Sequence, residues 1–446
     1  MTSYRIEAPH KLSGDIILPA SKSISNRALI MGALSGSGKW PLNLSDCDDT
    51  EVIVNALENM PDVIDIKAAG TAMRFMTALL AATQSGTHIL TGTERMQHRP
   101  IALLVDTLRR IGAKIEYAGE EGFPPLRITG STLDGGYVEM SGSISSQYIS
   151  ALLMIGPILR DGLTLHLTDE IMSRPYIDLT LCMMRDFGAK AEWTSVDTIR
   201  VEPVPYTMPQ YIVESDWSAA SYWYEMMALT EQADAELRLH GLMDGSRQGD
   251  SSVRYIFSLL GVSTRFETRR AGVPNTVTLR KNGHRVPRLD YDFANFPDLA
   301  QTVVVCCCGM GVPFHFKGLK TLKIKETDRI NALITELGKL GYPLESRNDC
   351  ELLWDGRCNP TAIGKSPSTL PAPEGERLRV GELRSGMGSG VRLSINTYQD
   401  HRMAMAFAPL AIKQPIVINN PHVVSKSYPR FWEHLRQVGF SIGSEE

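Results

Sequence analysis

The sequence predicts an α/β protein of two domains with helices packed inside sheets, and three observations predict it. The chain has 446 residues, more than one hydrophobic core usually organises, so two domains are expected. A strand-like or glycine-rich stretch, then a polar small-residue start, then a compact apolar helix recurs six times, which marks a repeated supersecondary unit. Several of these helices are apolar nearly all round rather than on one stripe, which in a soluble protein means burial on every face, with sheets wrapped around them.

The copies run in order along the chain. They are SKSISNRALIMGAL from Ser21, AGTAMRFMTALLAAT from Ala69, SISSQYISALLMIGPIL from Ser143, SDWSAASYWYEMMAL from Ser215, NFPDLAQTVVVCCCG from Asn295 and QDHRMAMAFAPLAI from Gln399. THILTG, LTLHLTD, ELRLHG and VTLR between them read as strands. TDRINALITELGKLG reads as an amphipathic helix, because Ile330, Leu333, Ile334, Leu337 and Leu340 recur at helical spacing. The stretch from Gly356 to Gly381, rich in Pro, Gly and Ser, predicts an exposed loop. GMGSG at Gly386 to Gly390 opens no helix pattern and reads as a flexible turn.

Composition narrows the function. The chain is 43% hydrophobic and 22% charged with a formal charge of −4, an ordinary globular balance. That charge argues against a nucleic-acid or membrane-surface binder, which usually needs a basic excess. Any bound anion must be met by locally gathered cations. The seven cysteines form no CxxC pair and read as reduced thiols. With no signal or transit pattern at the N-terminus and no apolar run near the ~18 residues of a membrane helix, the expectation is a cytoplasmic protein. HExxH and paired Cys/His spacings are absent, so no metal is expected.

The helix starts are where chemistry is read. A helix N-terminus offers unpaired amides and partial positive charge, so Ser, Thr or Gly beside Lys or Arg makes an anion site. Lys22, Ser23 and Arg27 fit, as do Gly70, Thr71 and Arg74, then Ser145, Ser146 and Gln147, then Asp400, His401 and Arg402. Singly, each also reads as an ordinary cap with a solvated charge. Asp298 alone reads as a helix cap, and His401 either as an anion ligand or as a residue holding its turn.

These residues carry a resemblance. LPASKSISNRALIMGAL, AGTAMR, RMQHRP, SISSQY, SRPYIDLT, KETDR, DHRMAMAFA and SKSYPRFWEHLRQVG follow the order seen in the 3-phosphoshikimate 1-carboxyvinyltransferases (EPSP synthases), and the chain resembles that family over its whole length. The resemblance implies transfer of the enolpyruvyl group of phosphoenolpyruvate to the 5-hydroxyl of shikimate 3-phosphate, with release of phosphate, on the path to chorismate and the aromatic amino acids. It implies a two-domain inside-out α/β barrel of the enolpyruvyl transferase type, with three βαβαββ-like repeats per domain. Residues 20–214 would form the shikimate-phosphate-binding domain. Residues 1–19 plus 215–446 would form the second, carrying Asp298, KETDR and DHR, with a hinge near 19–20 and 214–215. Closure there would bring Lys22 and Ser145 toward Asp298, Arg329 and Arg402.

By similarity, shikimate 3-phosphate meets Lys22, Ser23, Arg27, Ser145, Ser146, Gln147, Ser173, Asp298 and Lys325. Phosphoenolpyruvate meets Lys22, Gly70, Arg99, Gln147, Arg329, Arg402 and Lys426. Asp298 would act at the hydroxyl, Glu326 as acid and base at the methylene carbon, and Lys22 at the bridging oxygen. Arg74 would support the AGTAMR turn. No cofactor is implied, and a monomer acting on these two small molecules is expected.

KETDR also has a purely structural reading, in which Glu326 and Asp328 favour a helix's first turn. Lys325 and Arg329 would then be an i,i+4 pair of like charge, unfavourable without an anion between them. Against the family's pattern, Ala68 replaces an Asn and Phe75 a Pro, which bears on phosphoenolpyruvate and on the competing herbicide glyphosate. Thr321 stands where an Asn often meets the shikimate phosphate. Three alternatives are weighed. A UDP-N-acetylglucosamine enolpyruvyl transferase usually has a Lys-Asn pair in place of SKSISNR. A P-loop kinase fails because GSGKW has Ala33 and Trp40 where the motif needs Gly and Ser or Thr. A catalytically silent anion binder sits poorly with the retained Asp298 and Glu326.

Overall fold

The computed structural model describes residues 2–268, 271–359, 378–379 and 393–445. The chain divides into two compact units, one of residues Ala20–Glu214 and one of Met1–Pro19 with Ser215–Glu446, and each has its own hydrophobic core. The first is inserted into a single connection of the second. Strand Ser13–Ile17 pairs in parallel with Glu236–Met243, and the helix that joins them, Trp217–Leu229, follows only after the whole insertion.

The six apolar segments are six helices, three per unit: Lys22–Leu34, Gly70–Ala82, Ser146–Ile155, then Trp217–Leu229, Ala300–Met310 and His401–Phe407. Their burial is nearly complete. Gly70–Ala82 is buried except at Thr71, Ser146–Ile155 except at Gln147, and Trp217–Leu229 except at Ser218. In these three the exception lies in the first turn, so their N-termini open outward, whereas Lys22–Leu34 is less buried at both ends and Ala300–Met310 at its C-terminal Met310. Burying each large apolar side chain is worth roughly 1.5–3 kcal/mol, which makes these helices the centre of each core.

Among the described residues five four-stranded sheets cover the helices, and all five share one pattern. In each, the first two strands of the repeat are parallel, joined through the buried helix, and the spatial order is first, second, fourth, third with the last two pairings antiparallel. The second unit repeats this with Leu289–Asp292, Phe314–Lys317, Glu345–Arg347 and Glu351–Trp354. In its last repeat the N-terminal strand Ser3–Glu7 takes the fourth place, between Ile416–Asn419 and Ser441–Glu445. Alternation of buried and exposed residues, as in Leu163–Thr168, turns one face of each sheet onto the helices. The remaining copy, around Lys22–Leu34 and Asp48–Asn59, shows one parallel bridge, Leu42 with Ile212, among the described residues.

At Gly241 a bulge interrupts the register of Glu236–Met243. The φ there is +93°, and a Cβ would lie 2.1 Å from Ser215 Oγ. Only glycine lets strand and chain re-entry approach so closely. The expected loop from Gly356 is corrected in part: Arg357–Cys358 pairs antiparallel with Leu378–Arg379, and Cys358 is buried. Polar composition had outweighed two short runs with ladder partners. Residues 360–377 and 380–381 of that stretch, and GMGSG, lie outside the described residues.

Candidate active site

In the inserted unit the outward helix ends collect polar groups. Lys22 heads its helix and its Nζ lies 3.0 Å from Oδ2 of buried Asp49. Ser23 follows it, half-buried. Arg27, one turn on, is 2% exposed. Its Nε donates to Thr180 Oγ1 (2.7 Å), Nη1 to the Ser23 carbonyl (2.9 Å), and Nη2 to Ser150 Oγ (3.1 Å) and the Tyr176 carbonyl (3.5 Å). Burial pulls its guanidinium down to about 10.

The next helix begins at Gly70, with no side-chain cap. A Cβ there would meet Arg99 Nη1 at 2.6 Å and Arg74 Nη1 at 3.1 Å, so two guanidiniums lie against this helix end because residue 70 has no side chain. Arg74 is committed to structure, donating to the Gly70 carbonyl at 3.0 Å and to the Pro100 carbonyl at 3.4 Å. Arg99 is half-buried beside them. Ser145 caps the third helix by accepting from the Gln147 N–H, and Gln147 Nε2 donates to Thr71 Oγ1 at 3.0 Å. Ser146 is buried behind it. Ser173 precedes Arg174–Asp186 in the left-handed conformation, φ +55°, a strained setting for a non-glycine residue.

In the other unit three carboxylates converge on one arginine, and the other predicted cations meet two of those carboxylates. Arg329, 2% exposed, is bound by three carboxylates: Nε to Asp400 Oδ2 at 2.7 Å, Nη1 to Asp298 Oδ1 at 3.2 Å and Nη2 to Glu326 Oε2 at 2.9 Å. Lys426 Nζ holds the other oxygen of Glu326 at 2.9 Å. Arg402 Nη2 lies 2.9 Å from Asp298 Oδ2, and Lys325 Nζ 3.7 Å from Asp298 Oδ1. Burial alone would raise the Asp298 carboxyl, but Arg402, Lys325 and Arg329 hold it well below the usual carboxylate range. Arg329 loses affinity for its proton through burial and regains more from Asp400, Glu326 and Asp298. Arg329, Arg402, Lys325 and Lys426 thus gather around Asp298, Glu326 and Asp400, with buried Asp250 near Asp298 and Arg402.

The structural alternative for this segment does not hold. KETDR does not lie on one helix: the helix is Arg329–Lys339, capped by Asp328, whose side chain accepts from the Asn331 N–H. Lys325 and Glu326 precede it. The anion between Lys325 and Arg329 is supplied by Asp298, so their spacing is satisfied within the chain. Asp298 itself caps no helix; its carboxylate goes to the cations. Asp400 caps His401–Phe407 through the Arg402 N–H at 2.9 Å, and the buried His401 ring has Nδ1 3.8 Å from Asp400 Oδ1.

Sequence reasoning missed Asp49, hidden in the acidic run SDCDDT, which reads simply as a helix start. It also missed Asp250, a buried carboxyl that accepts from Ser218 Oγ. Burial, then the nearby Asp298, pushes Asp250 up to about 6 against the pull of Arg402. Thr321 is buried and its Oγ1 has no hydrogen-bond partner among the described residues. No three metal-ligating side chains gather among the described residues, and none of the described helices is long and apolar enough to cross a membrane.

Solved structures share this architecture. An EPSP synthase from Acinetobacter baumannii superposes with a TM-score of 0.74 at 20% identity, covering all of both chains. The enolpyruvyl transferase NikO from Streptomyces tendae gives 0.67 at 15%, covering 100% of this chain and 99% of its own. The fold is that of the enolpyruvyl transferases, a two-domain inside-out α/β architecture. In sequence, a 3-phosphoshikimate 1-carboxyvinyltransferase of Bacteroides fragilis NCTC 9343 is 54% identical over 440 residues, 98% of each chain. Another from Aliivibrio fischeri ES114 is 33% identical over 98% of this chain and 100% of that one. The family description "EPSP synthase (3-phosphoshikimate 1-carboxyvinyltransferase)" matches residues 6–64 and 57–435, and the chain belongs to that family.

Proposed function

We propose that this chain transfers the enolpyruvyl group of phosphoenolpyruvate to the 5-hydroxyl of shikimate 3-phosphate in the cytoplasm, as a step of the shikimate pathway, with the residues assigned as follows. Shikimate 3-phosphate is held by Lys22, Ser23, Arg27, Ser145, Ser146, Gln147, Ser173, Asp298 and Lys325. Phosphoenolpyruvate is held by Lys22, Gly70, Arg99, Gln147, Arg329, Arg402 and Lys426. The observation that carries the reading is the convergence of Arg329, Arg402, Lys325 and Lys426 on Asp298 and Glu326. It supplies cations for a phosphate and a carboxylate, and two carboxylates for proton transfer.

In the addition step, Asp298 receives the proton of the 5-hydroxyl as its oxygen attacks C2 of phosphoenolpyruvate, and Glu326 delivers a proton to the methylene carbon, giving a tetrahedral intermediate with a methyl group. In the elimination step the C2–O bond to phosphate breaks, Lys22 serves the departing bridging oxygen, and Glu326 takes a methyl proton to restore the double bond. Lys426 and Arg329 fix the two oxygens of Glu326 and favour its ionised form, so the proton it gives in the addition is loaded onto it as the substrates bind, and the ionised form then takes the methyl proton in the elimination. The test is phosphate release from the purified chain with phosphoenolpyruvate and shikimate 3-phosphate, beside UDP-N-acetylglucosamine as the rival acceptor. Release with shikimate 3-phosphate alone is expected. Release with the nucleotide sugar, or with neither, overturns the assignment.

A further inference from the structure

We propose that Phe75 is a positioning residue for shikimate 3-phosphate, acting through the guanidinium of Arg27 that its ring faces; this rests on the reading of Arg27 as a ligand of that substrate. The guanidinium carbon of Arg27 lies 5.4 Å from the centroid of the Phe75 ring, inside the ~6 Å over which a cation is attracted to an aromatic face. Neither side chain has appreciable access to water: Phe75 is 0% and Arg27 2% exposed. Exclusion of solvent strengthens the attraction and removes water as a competitor for the charge.

The hydrogen bonds of Arg27 lie in the plane of the guanidinium, to Thr180, Ser23, Ser150 and Tyr176. Of five N–H donors, one on Nη1 has no partner among the described residues. These bonds fix where the donors point, and the ring adds an attraction centred on the guanidinium carbon. A cation held in one place before the anion arrives loses less freedom on binding, so affinity gains from preorganisation.

Phe75 also sits on the helix headed by Gly70, next to Arg74, which ties down the Gly70 carbonyl. One helix therefore carries Gly70 toward phosphoenolpyruvate at its first residue and supports Arg27 about a turn later. The attraction to Arg27 depends on the ring's charge distribution, whereas packing depends on its volume, and the two can be separated.

The experiment replaces Phe75 in the full chain with mono-, di- and trifluorophenylalanine, which keep the ring's shape while withdrawing negative charge from its face. Calorimetry reads the Kd for shikimate 3-phosphate, steady-state kinetics the KM for phosphoenolpyruvate, and thermal unfolding the fold. The Kd is expected to rise stepwise, reaching about 3- to 30-fold at the trifluoro ring, with the phosphoenolpyruvate KM within about twofold of the unsubstituted chain, inside the spread of one such contact. Phe75→Leu is expected to weaken shikimate 3-phosphate at least as much as the trifluoro ring does. A flat series, or an equal rise in the phosphoenolpyruvate KM, overturns the positioning role. If the unsubstituted chain releases phosphate from the two substrates while the series is flat, that role alone is lost. If the unsubstituted chain does not bind shikimate 3-phosphate, both readings are lost.

Discussion

Arg329 and Asp400 form an ion pair almost shut off from water, with Nε 2.7 Å from Oδ2 and side chains 2% and 0% exposed. Asp400 uses its other oxygen to accept the Arg402 N–H. One carboxylate therefore anchors two of the arginines assigned to phosphoenolpyruvate, one through its side chain and one through its backbone.

Removing that anchor should damage the fold as well as the site. Asp400→Ala leaves the Arg329 guanidinium with an unmatched contact in a dry place, and loss of one partner of such a pair costs roughly 3–5 kcal/mol. Urea unfolding should show a lowered midpoint. A midpoint within error of the unsubstituted chain would mean that Asp298 and Glu326 alone satisfy Arg329.

Glu326→Gln keeps the shape of the side chain and removes its capacity to exchange protons. Phosphate release should fall by about 10²–10⁴-fold, the usual contribution of a positioned acid or base, while shikimate 3-phosphate still binds in calorimetry. Retention of more than a tenth of the rate, a change of only about 1.4 kcal/mol in barrier, would move the proton transfer to another group.

Gly70→Ala puts a methyl group where the Arg99 guanidinium lies, at 2.6 Å from Nη1. Because Arg99 reaches this point with the end of a flexible side chain, it should swing aside with little loss of stability. The expected signature is a KM for phosphoenolpyruvate raised about tenfold or more, the order of one charge-assisted hydrogen bond, and a smaller change for shikimate 3-phosphate. Equal rises for both substrates would contradict the placing of Arg99 with phosphoenolpyruvate.

Glu225 gives a pH prediction away from the chemistry. It is fully buried on the helix Trp217–Leu229, with neither carboxyl oxygen hydrogen-bonded among the described residues, and burial raises it well above its ordinary value. Cys306 and Cys307, on the neighbouring helix Ala300–Met310, lie near it, and burial raises both thiols. The folded protein keeps the Glu225 proton while the unfolded chain releases it above about 4.5. The stability tied to that proton is complete below this point and declines as pH rises toward the folded value, by about 1.4 kcal/mol per pH unit. Glu225→Gln should therefore gain on the unsubstituted chain between pH 5 and 7 in denaturant midpoints. A gap that does not grow with pH would show that the carboxyl ionises without cost.

The six buried helices were legible because an apolar surface on every side is a local signal, visible in AGTAMRFMTALLAAT without knowing what covers it. Their covering sheets were less so. The strand beside Ser13–Ile17 begins at Glu236, and nothing local in SGDII names a partner that distant. The cations of the site were legible through the family's motifs. The same motifs named Asp298 and Glu326, but not their pairing with the cations: Asp298, read alone, looks like a cap, and the geometry that sets it between Lys325, Arg329 and Arg402 comes from three separated segments. The structural alternative for KETDR, which put Glu326 in a helix's first turn, fails because a charged run ahead of an apolar period only looks continuous: Asp328 starts the helix after Glu326 has turned to meet Lys426.

The insertion of one unit into a single connection of the other has a kinetic meaning. Synthesis delivers Ser13–Ile17 early and its neighbour Glu236–Met243 only after residues 20–214 have been made, so that pairing carries a large loop-closure cost while the intervening chain is disordered. The inserted unit has its own core, and its two ends are tied together by the Ser21 N–H on the Glu214 carbonyl at 2.8 Å. Once it has folded, the long loop shrinks to a gap of a few residues. Assembly is thereby ordered in time, with the nested module maturing first and acting as the clasp that lets the split module register its strands.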